Sequence, residues 1–404
     1  MASEQEEPPP PKKQTPPVAP TTISSLGDDL LLEIFLRLPS LPSLVRAAFT
    51  CRAALHAVRS SRVFRRRFRE LHPPPLLGLF LDIYHPETPP FAPVRRRSDP
   101  DHAGDAAAVS GADFHLTRLP DDDDPYWSMR DCRDGYVVLV NWNTDQMAVY
   151  NPLTLAMHLF PIPPEEICED MHVEYHVLSS EEDPKSFRVV CVCHEKWGAQ
   201  AAVISSDTRE WQIFPFTEAA SLQDGNAGYS PHDGTLVNGH IYWTKASRAN
   251  ARVLNTTTLQ FSLIDLPPHI EGQGVLTPGE TKDGELCIVC AVQHTLIVWL
   301  RRADDDGVER WMLDNTFPLS QLIAVLACHP VDHDVLKILA IVDGFVYLCT
   351  YYEDDPNSPG SFLSFCLETE KLDKLCPILH FDDLYPYMMA WPPSLVLNKP
   401  ISST

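Results

Sequence analysis

The sequence predicts an α+β multidomain protein, in which a small N-terminal three-helix domain precedes a mainly-β, propeller-like domain of about five to six four-stranded blades. Apolar residues recur at helical spacing only near the N-terminus. Roughly twenty short segments rich in β-branched and aromatic residues follow, without the crossover helices that a parallel sheet requires. These segments recur in units close to the ~50 residues of a kelch-like blade. A β-sandwich or another closed barrel is the alternative.

The composition indicates a protein with a substantial core, short elements and an acidic surface. Of the 404 residues, 44% are apolar and 38 are proline, which disfavours long helices. The formal net charge of −23 argues against nucleic acid and anionic membranes as partners, because phosphate contacts need clustered Lys and Arg. No segment approaches the ~18 apolar residues of a membrane span, and the acidic N-terminus is unlike a signal peptide. We expect an intracellular protein in the cytoplasm, the nucleus or both.

The expected organisation has two domains between two tails. Residues 1–22 are rich in proline and lack an apolar period, so we expect a disordered tail there. The helical domain is expected over 23–70 and the β domain over 71–398, with a short C-terminal tail at 399–404.

The first helix begins with acidic residues and ends at a proline. Asp28 and Asp29 lie where the helix dipole favours negative charge, and Ser25 with Asp28 resembles a capping box. Pro39 stops the helix. The apolar positions are Leu30, Leu31, Ile34, Phe35 and Leu38.

Two further helices complete the predicted helical domain. The second begins near Pro42, since proline is tolerated at the first helical position, and it presents Leu44 and Cys51 on its apolar face; the third carries Phe64 and Phe68. Helices of this size bury too little apolar surface to offset their chain entropy. The helical domain therefore needs a partner surface.

A repeated pattern organises the β domain. An apolar strand leads into a polar turn containing Thr, then into a second strand and a proline, which fits the end of an outermost strand because no ladder N–H is lost there. Asp-Gly pairs mark tight turns within the units. Pro120 is interpreted as marking one further blade, the sixth. The turns and prolines are 151–154 with Pro161, 205–208 with Pro215, 255–258 with Pro267, 367–369 with Pro377, and Pro318 after a longer acidic loop.

A search for catalytic and metal-binding patterns gives no enzyme signature. The sequence contains no G-x-x-x-x-G-K loop, no G-x-S-x-G elbow and no H-E-x-x-H helix. Cys287 and Cys290 lie in one continuous strand that directs them to opposite faces, and no second pair completes a zinc site. The segment 328–334, CHPVDHD, is interpreted as a turn. We therefore expect no catalytic residue, no metal and no cofactor; the eleven cysteines suit reduced, mostly buried thiols.

Charged and aromatic clusters have a structural interpretation and an alternative one. The acidic runs at 121–124, 304–306 and 353–355 are expected to be solvated loops, with attraction of a basic target segment as the alternative. The arginines between 62 and 69 are expected to form a polar helix face, with a nuclear-import patch as the alternative. Most tryptophans are expected in the cores of the blades.

The stretch SLGDDLLLEIFLRLPSLPSLVRAAFTCRAAL resembles an F-box, the module by which substrate receptors attach to Skp-type adaptors of cullin-RING ubiquitin ligases. The segments DCRDGYVVLV, VYNPLT, LVNGHIYW and DGELCIVCA resemble the propeller-like domain that follows the F-box in many plant F-box proteins, especially those of the expanded grass families. Two positions depart from the F-box pattern. Gly27 replaces the usual proline, and Ala54 replaces a tryptophan that would be a large anchor at an interface.

This resemblance implies a substrate-recognition subunit of an SCF (Skp, cullin, F-box) ubiquitin ligase. The partners would be a Skp-type adaptor, through it a cullin, and a target protein bound by the propeller at residues that the sequence does not identify. The alternatives are a scaffold without strong adaptor binding and, less favoured, a propeller hydrolase. The residues expected to fold the module and contact the adaptor are Leu26, Leu30, Leu31, Ile34, Phe35, Leu38, Leu44 and Cys51.

Overall fold

The computed structural model describes most of the helical and β domains. The described residues are 26–72, 76–82, 91–94, 111–120, 126–164, 167, 172–180, 186–195, 198–218, 234–244, 249–268, 275–304, 306–327, 334–352, 359–378, 383–389 and 395. The predicted tails at 1–22 and 399–404 lie outside them.

Four short helices form the N-terminal domain: α1 (Asp28–Phe35), α2 (Leu41–Ala48), α3 (Arg52–Ser60) and α4 (Arg62–Leu71). The side chain of Ser40 accepts a hydrogen bond from the Ser43 N–H at 3.3 Å and caps α2. The Cys51 Sγ accepts one from the Ala54 N–H at 3.4 Å and caps α3. Gly27 precedes α1 and provides no side-chain cap; Ser25, which was predicted to form a capping pair with Asp28, lies outside the described residues.

A helical N-terminal domain is confirmed, but it contains four helices where three were predicted. The second predicted helix was expected to present both Leu44 and Cys51 on one face, but α2 ends at Ala48 and Cys51 instead caps α3. The third predicted helix is divided at Ser61, whose backbone is extended with φ of −92° and ψ of 102°. The Ser61 hydroxyl accepts a hydrogen bond from the Phe64 N–H at 3.1 Å. Serine competes with the helix by bonding nearby backbone groups, which is why α3 ends and α4 begins at this residue.

The rest of the chain forms twenty-four strands and one helix in the described residues. In chain order they are β1 (Leu76–Asp82), β2 (Phe91–Pro93), β3 (Ser128–Arg133), β4 (Tyr136–Asn141), β5 (Gln146–Asn151), β6 (Ala156–Pro161), β7 (His172–Ser179), β8 (Phe187–Glu195), β9 (Gly198–Ser205), β10 (Gln212–Ile213), β11 (Thr217–Glu218), β12 (Thr235–Val237), β13 (His240–Trp243), β14 (Asn250–Asn255), β15 (Gln260–Asp265), β16 (Leu276–Glu280), β17 (Leu286–Val292), β18 (Thr295–Ala303), β19 (Glu309–Pro318), α5 (Ser320–Ala327), β20 (Asp334–Val342), β21 (Phe345–Tyr352), β22 (Gly360–Cys366), β23 (Leu372–Ile378) and β24 (Asp383–Met388).

These strands build a six-bladed propeller, which confirms the predicted fold. Five blades are sequential antiparallel sheets that start at β3, β7, β12, β16 and β20, and β10 and β11 share the outer edge of the second. The sixth sheet has the order β2-β1-β24, so both ends of the chain contribute to it. The first strand of each sequential blade and β24 form the inner ring, along which β3 contacts both β7 and β24.

The local turns follow the predicted chemistry. Asp134 and Gly135, with φ of 52° and 79°, form the turn between β3 and β4, and Asp343 with Gly344 repeats it in the fifth blade. The Asn151 side chain accepts hydrogen bonds from the Leu153 and Thr154 N–H groups, at 3.1 and 3.0 Å. Asn255 makes the same turn in the third blade. Pro161 and Pro318 end outer strands as predicted.

The location of the sixth blade corrects one prediction. Pro120 lies in the segment 111–120, which contains no strand, and the sixth blade is built from β1, β2 and β24 instead. The pairing of β1 with β24 joins segments that are far apart in the sequence, so neither segment contains a local pattern that predicts the other. Within the described part of the chain, the longest helices fall well short of the length needed to cross a bilayer.

Candidate functional site

One face of α1 leaves two large apolar side chains in solvent. Leu30 is 61% exposed and Ile34 is 47% exposed. They are four residues apart, so they lie one turn above each other on the same face of the helix. Leu31 and Phe35, one position further along, are 3% and 6% exposed and belong to the core of the helical domain. α1 therefore has one face that is already packed and one that a partner can cover.

The eight residues expected at the adaptor contact separate into three groups. Leu31, Phe35 and Leu44 are buried in the helical core. Leu30 and Ile34 are exposed, and Leu26, Leu38 and Cys51 are half-buried. Cys51 also caps α3, which gives it a structural role.

Three exposed apolar residues of the helical domain were missed by sequence reasoning. Phe49 is 54% exposed and directly follows α2, Val63 is 67% exposed at the start of α4, and Leu71 is 51% exposed at its end. Each lies at a helix end and does not follow the helical spacing of the buried apolar residues. An apolar residue that breaks this spacing could have been predicted from the sequence to be exposed.

The arginines of α4 form a polar helix face, which is the first of the two interpretations given to them from the sequence. Arg67 pairs with Glu33 of α1 at 2.8 Å, between two half-exposed side chains. Arg65 donates from its Nη1 to the Val58 carbonyl at 3.4 Å and to the Arg59 carbonyl. Burial, together with the nearby charges of Arg62 and Arg69, lowers the pKa of Arg65. Arg65 thus holds α4 against the end of α3.

The two departures from the F-box pattern have different consequences in the structure. Gly27 is exposed at the start of α1 with φ of −66°, and a Cβ at this position would meet nothing within 4 Å. Ala54 is fully buried in the helical core. A tryptophan at position 54 would therefore point into that core and would not form the surface anchor that we expected.

The helical domain shares its core with the propeller. Met389 and Leu395, which follow β24, are 1% and 0% exposed and belong to the same apolar cluster as α1–α4. Leu77 of β1 and Leu153 in the turn after β5 pack against this cluster. The partner surface that we expected the helical domain to need is thus supplied in part by its own chain.

A buried polar network joins the second and third blades near the inner ring. The Glu174 carboxylate of β7 accepts hydrogen bonds from the Gly234 N–H and the Trp243 Nε1–H, both at 2.8 Å. His176 and His194 approach the same carboxylate at 3.3 and 3.5 Å. The Arg252 Nη1 lies 3.2 Å from the His194 Nδ1, which connects β14 of the third blade to the network. All of these groups lie between the second and third blades and contact one another, so the network has a structural role.

The two cysteines of β17 are fully buried. Cys287 and Cys290 lie in different apolar clusters on opposite faces of β17, as predicted. Burial raises the pKa of Cys287 to about 12 and that of Cys290 to about 11, so both are inert thiols at neutral pH.

No described group of three or more His, Cys, Asp or Glu side chains could hold a metal ion. The segment 328–333 and the acidic runs 121–124 and 353–355 lie outside the described residues.

The described tryptophans occupy different positions in the propeller. Trp243 and Trp299 are buried in blades, as predicted, whereas Trp142 is 41% exposed. Trp197 and Trp391 lie outside the described residues. Trp211 and Trp311 instead connect neighbouring blades at their outer edges. The Trp211 Nε1–H donates to the Pro161 carbonyl at 2.9 Å, and the Trp311 Nε1–H donates to the Asp265 carbonyl at 2.6 Å. Both bonds join the outer part of one blade to the outer strand of the preceding one.

Two family models match the chain. An F-box domain matches residues 23–66. A model described as "F-box protein AT5G49610-like, beta-propeller" matches residues 128–395, which is more than half of the chain. A comparison with characterised proteins gives no match.

Solved structures resemble the propeller only distantly. A protein from Lactobacillus plantarum is 11% identical, with 76% of this chain and 98% of that chain covered and a TM-score of 0.38. A post-proline cleaving enzyme from Rickettsia typhi is 9% identical over 64% of this chain, with a TM-score of 0.32, and the match spans 37% of the enzyme's length. A chain of a nidogen/laminin complex is 13% identical, with coverages of 65% and 84% and a TM-score of 0.33. Similarity at this level supports no functional conclusion.

Proposed function

Since the chain belongs to the F-box proteins with an AT5G49610-like β-propeller, we propose that it is a substrate-recognition subunit of an SCF ubiquitin ligase. F-box domains generally bind Skp-type adaptors, and members of such families are typically non-catalytic. In the proposed complex the helical domain docks on a Skp-type adaptor, which connects it to a cullin, and the propeller binds the target protein. Ubiquitin transfer is then accelerated by the raised effective concentration of the target near the linked enzyme.

The observation that carries this proposal is the division of α1 into a buried and an exposed apolar face. Leu31 and Phe35 are buried in the core of the helical domain, whereas Leu30 and Ile34 are about half exposed or more. Covering a side chain of this size contributes about 1.5–3 kcal/mol. We propose Leu30 and Ile34 as the central adaptor contacts, with Leu26 and Leu38 beside them. Leu31, Phe35, Leu44 and Cys51 then act by folding the module.

The location of the helical domain on the propeller suggests where a target would bind. Met389 follows the end of β24, Leu77 lies at the start of β1, and Leu153 lies in the turn from β5 to β6. In antiparallel blades these three positions fall at the same end of the strands. The helical domain covers that end of the first and sixth blades, so we propose that the target binds at the opposite end.

Co-purification with a Skp-type adaptor tests the proposal. The wild-type chain should form a complex at micromolar concentration. The double variant Leu30→Asp, Ile34→Asp should lose at least about 100-fold in affinity, because each apolar contact is replaced by a charge that must be desolvated. Both positions are exposed, so the variant should keep its fold by circular dichroism.

A matched control comes from α5, where Leu322 and Val325 are also exposed apolar helix residues, at 42% and 78%. The double variant Leu322→Asp, Val325→Asp should bind the adaptor as the wild type does. If the wild-type chain elutes separately from the adaptor, or if both double variants bind equally well, the proposal is wrong. The first of these outcomes would favour a propeller scaffold without adaptor binding.

The remaining features of the proposal follow from the same assignment. We propose the domain bounds 23–70 and 71–398, no catalytic residue and no cofactor in this chain, and a location in the cytoplasm, the nucleus or both. Nucleic acid and membranes are not proposed as partners, because the net charge of −23 disfavours polyanions.

A further inference from the structure

The core of the helical domain is completed by residues from the far end of the chain. Met389 and Leu395 are almost fully buried in the cluster that contains Leu31, Phe35 and Phe68. All other buried members of that cluster lie between Leu31 and Phe68. Two side chains that follow the last strand of the propeller are therefore part of the helical fold.

Ring closure determines where these two residues lie. β24 pairs antiparallel with β1 in a register that places Met388 opposite Leu76. The Tyr385 and Tyr387 hydroxyls donate hydrogen bonds to the carbonyls of Met129 and Gly135, each at 3.0 Å, and so attach β24 to the first blade. Met389 directly follows this strand. Its place in the helical core therefore follows from the position of β24 against β1 and the first blade.

The helical domain is attached to the same blade through its own chain. α4 ends at Leu71 and β1 begins at Leu76, so only a short connection separates them. At the end of α4, the His72 Nε2 lies 2.9 Å from the Leu36 carbonyl at the end of α1. α1 and β1 are thus both held to α4, and β1 carries β24 as its neighbour.

We propose that Met389 and Leu395 are positioning residues for the adaptor-docking face, so that adaptor binding depends on a complete and closed propeller. They do not touch the adaptor. They hold α1–α4 in the arrangement that presents Leu30 and Ile34, and a chain whose ring has not closed lacks this support. A receptor that cannot hold a target would then also fail to dock. The expected effect on adaptor binding rests on the proposed function, whereas the expected effect on the stability of α1–α4 does not.

The decisive variant is Met389→Ala, Leu395→Ala, which removes two buried side chains from the helical core. Hydrogen exchange of the α1–α4 amides in the full-length chain should accelerate at least about 10-fold, because the helices open more often once cavities replace these side chains. The apparent dissociation constant for a Skp-type adaptor should rise in proportion to the loss of the folded, binding-competent fraction. Exchange in the second and third blades should stay unchanged.

Two companion variants separate positioning from general destabilisation. Ile241→Ala, Leu254→Ala removes a fully buried cross-strand pair from the third blade. It should accelerate exchange there and leave α1–α4 and adaptor binding unchanged. Met389→Leu, Leu395→Met keeps the apolar volume and should restore exchange and adaptor affinity to within about 3-fold of wild type.

The possible outcomes distinguish this inference from the proposed function. Unchanged exchange of α1–α4 in the double alanine variant overturns the inference, and so does weakened adaptor binding without faster exchange, which would make the two residues direct contacts. If the wild-type chain does not bind the adaptor, the proposed function fails, and the exchange experiment alone still decides whether the C-terminal residues hold the helices.

Discussion

Replacing Glu174 should weaken the junction between the second and third blades more than the loss of a typical surface charge would. Its carboxylate is buried and accepts hydrogen bonds from the Gly234 N–H and the Trp243 Nε1–H, both at 2.8 Å. In Glu174→Ala these two donors lose their charged acceptor. Each unsatisfied buried donor costs about 1–3 kcal/mol, and breaking a buried ionic network costs about 3–5 kcal/mol in total. We expect a loss of this size.

The pH dependence of the loss has a definite direction. Burial alone would raise the pKa of Glu174, but the hydrogen bond from His176, the charges of His194 and His176 and the Gly234 N–H outweigh burial and lower it below the ordinary 4.5. A carboxylate with a depressed pKa in the folded state contributes stability above pH 4.5, which is lost as the pH falls through the folded-state pKa. The difference between wild type and Glu174→Ala should therefore be largest near pH 7 and shrink in acid.

Urea unfolding of the full-length chain, followed by tryptophan fluorescence at pH 7 and at successively lower pH below 4.5, measures this difference. Hydrogen exchange of β7 and β12 locates it. Glu174→Gln is the matched control, because its amide oxygen can still accept from Trp243, and it should cost less than half as much as the alanine variant. An alanine variant within about 1 kcal/mol of wild type, the size of one ordinary hydrogen bond, or a glutamine variant equally unstable, would refute the role given to this carboxylate.

Three further substitutions test local conclusions. Gly27→Pro should stabilise the chain by about 0.4–1 kcal/mol in urea unfolding, because φ of −66° is the angle that proline imposes and an added Cβ meets nothing within 4 Å. A destabilised variant would show that the start of α1 needs glycine. Ala54→Trp should destabilise α1–α4 by about 1–3 kcal/mol, since this position is fully buried, and tighter adaptor binding without that loss would contradict its placement. Asp343→Asn should raise the melting temperature at pH 7, because burial raises the pKa of Asp343 and the folded state therefore disfavours its charge. This gain should vanish below pH 3.8, where the carboxyl is neutral in both the folded and the unfolded state. A gain that does not depend on pH would show that the substitution acts through the turn and not through the charge.

Features that depend on a few neighbouring residues could be predicted from the sequence. The Asn151 and Asn255 turns recur because an asparagine side chain bonds the backbone two and three residues onward, whatever the rest of the fold does. Pro161 ends an outer strand for the equally local reason that proline has no N–H to donate. These signals were sufficient to identify a propeller.

Features that depend on distant residues could not be predicted. The sixth blade requires β1 to pair with β24, and neither strand carries a local sign of the other. Leu30 and Leu31 are adjacent, chemically identical residues on the apolar side of one helix, yet one is 61% exposed and the other 3%. Which of them faces the core is decided by the direction in which α3 packs against α1, and this direction is set by tertiary contacts.

The helical domain has two apolar faces that require different kinds of partner. The face formed by Leu31 and Phe35 is covered to within a few per cent, and Met389 and Leu395 contribute to that cover from the same chain. Such a contact is permanent, because a covalently linked partner is always present at high effective concentration. The face formed by Leu30 and Ile34 is left about half open, which suits a partner that binds and leaves. A helical module with both faces open would have too little core to fold. Covering one face from within the chain stabilises the module and leaves the face with Leu30 and Ile34 exposed.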